Sequence, residues 1–431
     1  MKKTRLTRRS FLRSTAGAAA GGLALPSFLA GYSFGEEKST PSEVITRGVI
    51  GVGGRGSGFV LENAKGGPYR TLAVCDVDEG HLSRAVKTAG PPCQGYKDFR
   101  ELLDRKDIDV VYIATPPHWH AIMSILAAES GKDIYCEKPM TRFIAEGRAV
   151  CDAVKRYGRV FHIGTGGRYG QTALRKLIAG GLLGSPITVR MGQPRYNWKV
   201  VEWTGRTHLE PQDPPAKLDW NLWLGPAPWK PYHPHRCHGS FRGYWDYDGG
   251  GFSDMGAHYI DPVQYVIGAD ATGPVEIEAE APFPAHPDAV RPWGRISYKF
   301  ADGTRIICTS HEWGEYESEK DLAFIEGPQG KVYGEGERNR RTRTDPPDLF
   351  EKAEKLPDPP KLVQFETALR TREIPGGNAE ASHRVASMLH LGNIAIRLGR
   401  KLRWDPAREE FPNDVDANRF VRLPLRAPWH L

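Results

Sequence analysis

Between residues 45 and 165 the apolar residues fall into short unbroken runs, and the segments between them carry helical spacing. Residues 45–52 and 71–75 read as apolar strands. Val110-Val111-Tyr112-Ile113-Ala114 shows no alternation, the pattern of a strand covered on both faces. Glycine-rich sequence opens a helix over residues 57–65. Residues 118–129 form an amphipathic helix with Ala121, Ile122, Ile125 and Leu126 on one face. A short strand at 134–136, a helix at 144–157 and a strand at 160–163 continue the series. Strands alternating with helices of this length predict βαβ units and a parallel sheet.

Beyond residue 165 the texture changes. Residues 185–250 are rich in Pro, Trp and His. Residues 275–335 carry alternating segments such as Arg295-Ile296-Ser297-Tyr298-Lys299-Phe300 and 304–308, which read as antiparallel strands joined by turns such as Ala301-Asp302-Gly303. Residues 335–360, charged and Pro-rich, read as a surface loop, 362–369 and 383–398 as helices, and the last thirty as an extended arm. The 431 residues suffice for two to three domains. The expected division is a leader over 1–30, a linker over 31–42, a first domain over 43–165, a second over 166–400, and the arm over 401–431.

Formal net charge is +7, yet Lys2, Lys3, Arg5, Arg8, Arg9 and Arg13 supply six of those charges in a leader without acids. The nearly neutral remainder gives no support for a nucleic-acid surface. Thr7-Arg8-Arg9-Ser10-Phe11-Leu12-Arg13 precedes a Gly/Ala-rich segment, and a basic head, weakly apolar middle and small residues make a bacterial signal peptide. The adjacent arginines before Phe-Leu mark the twin-arginine kind, so a periplasmic location is expected. No run approaches the ~20 apolar residues a membrane span needs. The scattered Cys75, Cys93, Cys136, Cys151, Cys237 and Cys308 form no CxxC, which argues against a disulfide framework or a Cys-based zinc site.

Gly51-Val52-Gly53-Gly54-Arg55-Gly56 satisfies G-x-G-x-x-G, follows an apolar strand and opens a helix, the context in which the motif binds a dinucleotide. Gly51 would permit the tight turn, Gly53 the approach of a pyrophosphate, and Gly56 close helix–strand packing, with free helix N–H groups facing the phosphates. Asp76, ending the next strand, is placed for the adenine ribose, and its charge favours NAD over NADP. Cys136-Glu137-Lys138-Pro139 lies at the carboxyl edge of the sheet, where ligands bind in open α/β folds. Pro139 keeps Lys138 out of helical geometry, so its side chain can be aimed from a strand end; read alone, Lys138 also fits a surface lysine.

Asp254 and His258, at i and i+4 in the run from Gly249 to Asp261, share one face if that segment is a helix, and can act together in proton transfer. A capping Asp and a core His fit the same spacing. Trp198, Trp203, Trp220, Trp223, Trp229 and Trp245 cluster in one stretch. Their faces suit sugar rings, and loop anchoring accounts for them as well. His233, His235, His238, Arg242 and Asp246 are able to hydrogen-bond hydroxyls. The His233-x-His235-x-x-His238 spacing lacks a helical or strand register, so no metal site is expected.

With these motifs the chain resembles the Gfo/Idh/MocA oxidoreductases over residues 43–431. The resemblance rests on the glycine loop, Ala114-Thr115-Pro116-Pro117-His118-Trp119-His120, Glu137-Lys138-Pro139 and Asp254-x-x-x-His258. It implies an α/β fold in which an N-terminal Rossmann domain with a parallel sheet precedes an α+β domain with a large, mostly antiparallel open sheet. It also implies a catalytic set of Lys138, Asp254 and His258. The cofactor residues it implies are Gly51, Gly53, Gly54, Arg55, Gly56, Asp76, Thr115, Pro116, His118, His120, Glu137 and Lys138. Arg168, Tyr169 and Trp245 join Asp254 and His258 as candidate substrate contacts. Family members often carry Gln near the start of the second domain, where this chain has Gly164-Thr165-Gly166-Gly167-Arg168-Tyr169.

The expected reaction is hydride transfer between a sugar alcohol carbon and NAD(P). His258 would take the hydroxyl proton, Asp254 orient the imidazole, and Lys138 stabilise the oxygen. Outside the cytoplasm no NAD(H) pool replenishes a freely exchanging enzyme, so the cofactor is expected to be tightly retained. Net oxidation, sugar-to-sugar transfer and glycoside cleavage by transient oxidation all remain open, as does non-catalytic sugar binding. A homodimer or homotetramer without a nucleic-acid partner is expected.

Overall fold

Ile45–Ile50 (β1), Tyr69–Cys75 (β2), Gln94–Tyr96 (β3), Val110–Ile113 (β4), Asp133–Cys136 (β5) and Phe161–Ile163 (β6) form a parallel sheet in the order β3-β2-β1-β4-β5-β6. The structure is a computed structural model that describes residues 44–64, 67–192, 204–282, 287–317, 322–334 and 342–431. Successive residues of β4 feed two different cores. Val111 and Ile113 pack with Ile134 and Phe161, while Val110 and Tyr112 pack with Val49 and Val74. Burial on both faces is why this strand reads as an unbroken apolar run. Gly54–Ala64 (α1), Glu79–Ala89 (α2), Phe99–Leu103 (α3), His120–Glu129 (α4) and Ile144–Arg156 (α5) are the helices that accompany it. The strand order reverses between β1 and β4, which opens a crevice at their carboxyl ends.

The second part contains Thr172–Ala179 (α6), Thr188–Gly192 (β7), Trp220–Leu224 (α7), Gly250–Ile267 (α8), Glu276–Glu280 (β8), Arg295–Lys299 (β9), Arg305–Thr309 (β10), Ile325–Gly327 (β11), Gly330–Tyr333 (β12) and Arg343–Asp345 (β13). Leu349–Glu354 (α9), Phe365–Thr371 (α10), Ala379–Leu398 (α11), Leu402–Arg403 (β14) and Val415–Asn418 (α12) complete it. Its eight strands run β13-β12-β11-β7-β10-β9-β8-β14, and only β7 and β10 pair in parallel. In β9, Ile296 and Tyr298 are buried while Arg295, Ser297 and Lys299 are partly exposed, so one face of the sheet is covered. The α/β fold is thus the expected one.

Helix α11 joins the two parts. Its Ala379 and Ala386 belong to the core of the parallel sheet, and its Leu389 and Leu391 to that of the large sheet. Residues 42–431 accordingly form one unit.

Several details differ from the sequence reading. Residues 79–103 add α2, β3 and α3; β3 is short and mostly exposed, and α3 is only five residues long. Asp78 starts α2, its Oδ1 accepting the N–H groups of Gly80 at 2.8 Å and His81 at 3.1 Å. Residues 401–431 are more than an extended arm: β14 pairs with β8, and Phe411 is buried edge-on to Trp404 at 4.8 Å. The stretch read as a surface loop contains β13 and α9. All six cysteines are buried and free. The twin-arginine segment, the linker, Trp198 and Trp203 lie outside the described residues.

Candidate active site

The crevice encloses about 390 Å³ and is bordered by Gly51, Gly53, Gly54, Arg55, Asp76, Thr115, Pro116 and Arg242. Gly51 adopts φ +80°, and a Cβ there would lie 2.8 Å from the Ala114 carbonyl carbon. A Cβ on Gly56 would lie 1.9 Å from the Gly51 carbonyl oxygen. Only glycine satisfies both positions. Helix α1 has no acid in its first turn, so its N-terminal N–H groups are open to an anion. The Asp76 carboxylate accepts the N–H of Val52 at 2.8 Å and that of Asp78 at 2.9 Å, which ties the glycine loop to the end of β2. Oδ1 keeps a lone-pair site for a ribose hydroxyl, while Oδ2 also faces His81 Nδ1 at 3.5 Å. Arg55 Nε donates to Glu137 Oε1 at 2.6 Å, joining the glycine loop to the end of β5. This cradle fits the pyrophosphate and ribose of a dinucleotide.

Lys138 extends from the end of β5, and its Nζ donates to Asp254 Oδ1 at 2.5 Å. Arg242 Nε donates to the other oxygen, Oδ2, at 2.7 Å. The Asp254 side chain is only 3% exposed, yet it sits between two cations. Burial favours its neutral form, but Lys138 and Arg242 hold its carboxyl below the usual range. The buried neighbour Asp248 is displaced upward, first by burial and then by the charge of Asp254.

Asp254 and His258 both lie on α8, as the spacing predicts. His258, however, turns its Nδ1 to the Thr165 carbonyl at 3.4 Å. A long Nδ1–H bond of this kind leaves the Nε2 lone pair as the basic site. Burial, followed by the charge of Lys138, lowers the His258 pKa. Arg242 lines the crevice, whereas Lys138, Asp254 and His258 do not contribute to its lining; Arg242 links the two groups through Asp254.

Comparison with known proteins agrees with this geometry. Residues 45–165 match a family profile described as oxidoreductase family, NAD-binding Rossmann fold, and residues 170–431 match the oxidoreductase family C-terminal alpha/beta domain of Gfo/Idh/MocA proteins. The chain belongs to the Gfo/Idh/MocA oxidoreductase family. An inositol 2-dehydrogenase of Salmonella typhimurium is 31% identical over 147 residues, 33% of this chain and 44% of that protein. A glycosyl hydrolase family 109 protein of Shewanella baltica is 35% identical over 170 residues, 35% of this chain and 37% of that protein. The chain thus aligns with less than half the length of either relative. Among solved structures, the WlbA dehydrogenase from Bordetella pertussis, in complex with NADH and UDP-GlcNAcA, superposes with a TM-score of 0.58 at 17% identity, covering 84% of this chain and 98% of that one. The aldose–aldose oxidoreductase from Caulobacter crescentus gives 0.54 at 19%, covering 84% and 99%. At these identities the structures establish the fold.

For this Gfo/Idh/MocA chain the structure redistributes several expected roles. The hydrogen bonds of Asp254 run to Lys138 and Arg242, and His258 turns its Nδ1 to the Thr165 carbonyl instead, so Asp254 acts on the imidazole through its charge. Arg168 is not a substrate contact. It is 1% exposed and pairs with Asp261 at 2.5 Å and Asp270 at 3.0 Å. Tyr169 donates its hydroxyl to the Val363 carbonyl at 3.0 Å, and Trp245 its Nε1–H to the Ala289 carbonyl at 3.0 Å, so both serve packing. His118 is buried, with Nε2 3.0 Å from the Trp223 carbonyl, outside the crevice lining. His120 is buried between the Thr115 carbonyl at 2.7 Å and the Pro139 carbonyl at 2.8 Å, and so joins the two loops rather than touching a ligand.

Trp220 and Trp223 stack at 4.7 Å on α7 and are buried in its packing, and Trp229 is exposed. Of the clustered histidines, His233 Nδ1 accepts the N–H of His235, and His235 Nδ1 meets the Tyr244 hydroxyl at 2.6 Å. Arg242 as a clamp, and Thr165 with Asp261 behind His258, were not legible as such. Thr165 Oγ1 donates to Asp261 Oδ2 at 2.7 Å, and the only signal for Asp261 was its place one turn beyond His258.

Proposed function

We propose that the protein is an NAD(H)-dependent oxidoreductase that transfers a hydride between a CH–OH carbon of a sugar or sugar derivative and a retained nicotinamide cofactor. The observation that carries this reading is the junction at Arg242. A residue of the dinucleotide crevice holds, through Asp254, the amine of Lys138, and His258 stands one helical turn further along α8. When bound, NAD supplies the hydride acceptor. The glycine loop and the start of α1 hold its pyrophosphate, and Asp76 a ribose hydroxyl. Asp76 and Asp78 both repel a 2′-phosphate, which favours NAD over NADP.

His258 Nε2 accepts the substrate hydroxyl proton, and its lowered pKa keeps the imidazole neutral for that step. Lys138 donates a hydrogen bond to the same oxygen and stabilises its developing charge, while Asp254 and Arg242 fix the position of the amine. A sugar-like substrate is supported by the inositol and aldose named for similar proteins. Arg8 and Arg9 support export by the twin-arginine route, and a periplasmic location is the reason for cofactor retention. The glycosyl hydrolase family 109 name of some relatives favours a second reading, glycoside cleavage through transient oxidation with no net redox change.

The test is to purify the full chain, extract its nucleotide, and follow reduced-nicotinamide absorbance against a panel of sugars and glycosides with product analysis. The proposal expects bound NAD(H) and an absorbance change abolished in Lys138→Ala and His258→Ala. A released aglycone without net oxidation selects the second reading. Nucleotide-free protein that binds sugars without any absorbance change overturns both.

A further inference from the structure

We propose that Asp78, His81 and His238 form a binding site for a first-row transition-metal ion of the zinc type, which latches the adenosine end of the crevice. One ligand atom from each residue lies within 4.8 Å of the others. His238 Nε2 is 3.6 Å from Asp78 Oδ2, and His81 Nδ1 is 3.5 Å from Asp76 Oδ2. The first separation is too long for a good hydrogen bond. It is close to the ~3.3 Å edge of a tetrahedron with ~2.0–2.1 Å metal–ligand bonds. The two imidazole rings stand 5.0 Å apart at 63°, so a small shift of the half-exposed His238 side chain completes the set.

The surrounding groups are arranged for this task. Asp78 spends Oδ1 on the N–H groups of Gly80 and His81 and keeps Oδ2 toward His238. Asp76 Oδ2 lies 3.5 Å from His81 Nδ1, so a second carboxylate faces the imidazole beside the site and favours a cation there. His238 is held at φ +51°, a conformation that residues with a side chain seldom adopt. Two histidines and one carboxylate leave a fourth position open, a donor set suited to Zn²⁺. Asp78 and His81 come from the parallel-sheet part and His238 from the segment after α7. An ion held by all three therefore ties the two walls of the crevice together.

The decisive measurement uses full-length protein stripped with chelator and free of nucleotide. It is titrated with Co²⁺ for tetrahedral absorption bands and assayed for Zn²⁺ content after dialysis. One ion per chain with tetrahedral bands is expected. Affinity should fall roughly 10-fold or more in His238→Ala and in Asp78→Asn; Asn preserves the helix cap, and circular dichroism confirms folding. Substoichiometric retention, bands like those of the aqueous ion, or unchanged affinity in both variants overturns the site.

The latch itself rests on the nucleotide reading. Zn²⁺ should slow NADH release from the wild type and leave His238→Ala unaffected, and equal release rates overturn the latch. A chain that binds the ion but no nucleotide refutes the proposed function and leaves the metal site standing.

Discussion

Asp254→Asn is the most informative single perturbation, because it keeps the shape of the side chain and removes only the charge shared by Lys138 and Arg242. The carboxylate accepts from Lys138 at 2.5 Å and from Arg242 at 2.7 Å, with side-chain exposures of 3% for Asp254, 12% for Lys138 and 24% for Arg242. Asparagine offers one carbonyl oxygen and an amide N–H₂, so one of the two cations must face another donor. Removing one partner of a buried pair costs about 3–5 kcal/mol. Arg242 can swing toward water, which discounts its share, so a loss near ~3 kcal/mol is expected. For a chain of 431 residues that corresponds to a fall in Tm of about 3–4 °C.

Lys138, no longer fixed, loses its aim at the reacting oxygen, and kcat should drop by roughly 100-fold or more. NADH affinity should be retained, because the glycine loop and Asp76 make no contact with Asp254. Scanning calorimetry, NADH fluorescence titration and turnover on the best substrate of the panel separate these effects. Wild-type Tm together with wild-type kcat would refute the clamp. A loss of NADH affinity as large as the loss of kcat would refute its separation from the nucleotide cradle.

Four further outcomes follow from the same geometry. Because His258 must be neutral to accept a proton and its pKa is lowered by burial and by Lys138, oxidation should persist on the acid side of the ordinary value of 6.5. Lys138→Met removes that cation, so the imidazole titration seen by NMR should move to higher pH; a move to lower pH would contradict the assignment. Arg168→Met should cost about 3–5 kcal/mol in denaturant unfolding, because it strands buried Asp261, and wild-type stability would restore a direct role in substrate binding. Gly56→Ala should abolish NADH binding, since its Cβ would meet the Gly51 carbonyl oxygen at 1.9 Å, whereas Gly58→Ala, with nothing within 4 Å, should bind normally and gain up to ~1 kcal/mol. Burial opposes ionisation of Glu409, but His383 and Arg148 hold its pKa to about 2 from an ordinary 4.5, so its contribution is complete above 4.5 and is lost as pH falls toward 2. Glu409→Gln should flatten the acid branch of Tm against pH, and an unchanged branch would count against the network.

The parallel sheet was legible because its central strands are buried on both faces, which forces unbroken apolar runs such as Val110-Val111-Tyr112-Ile113. The glycine loop was legible for a steric reason, since Gly51 and Gly56 occupy positions where any Cβ collides with backbone. Edge strand β3 carries no sequence signal because Gln94 and Gly95 are exposed. The terminal segment reads as an extended arm because its burial is carried by a few spaced residues, Leu402, Trp404, Phe411 and Ala417, set in a charged stretch. Partnership was the least legible property. Spacing of i and i+4 places Asp254 and His258 on one helix face, but it does not say that Lys138, 116 residues away, and Arg242, in the segment before α8, are the hydrogen-bond partners of the carboxylate.

Long-range pairing also explains how the base is held without its expected carboxylate partner. Arg168 pairs with Asp261, Asp261 accepts the Thr165 hydroxyl at 2.7 Å, and the Thr165 carbonyl receives His258 Nδ1. A fully buried ion pair therefore sits two steps behind the imidazole, while the exposed-side pair of Arg242 and Asp254 sits behind the amine. The two proposed catalytic groups are thus supported by separate hydrogen-bond networks, one within the core and one at the crevice wall. Double-mutant cycles should then show strong coupling between Arg242 and Lys138 and near-additivity between Arg242 and Arg168.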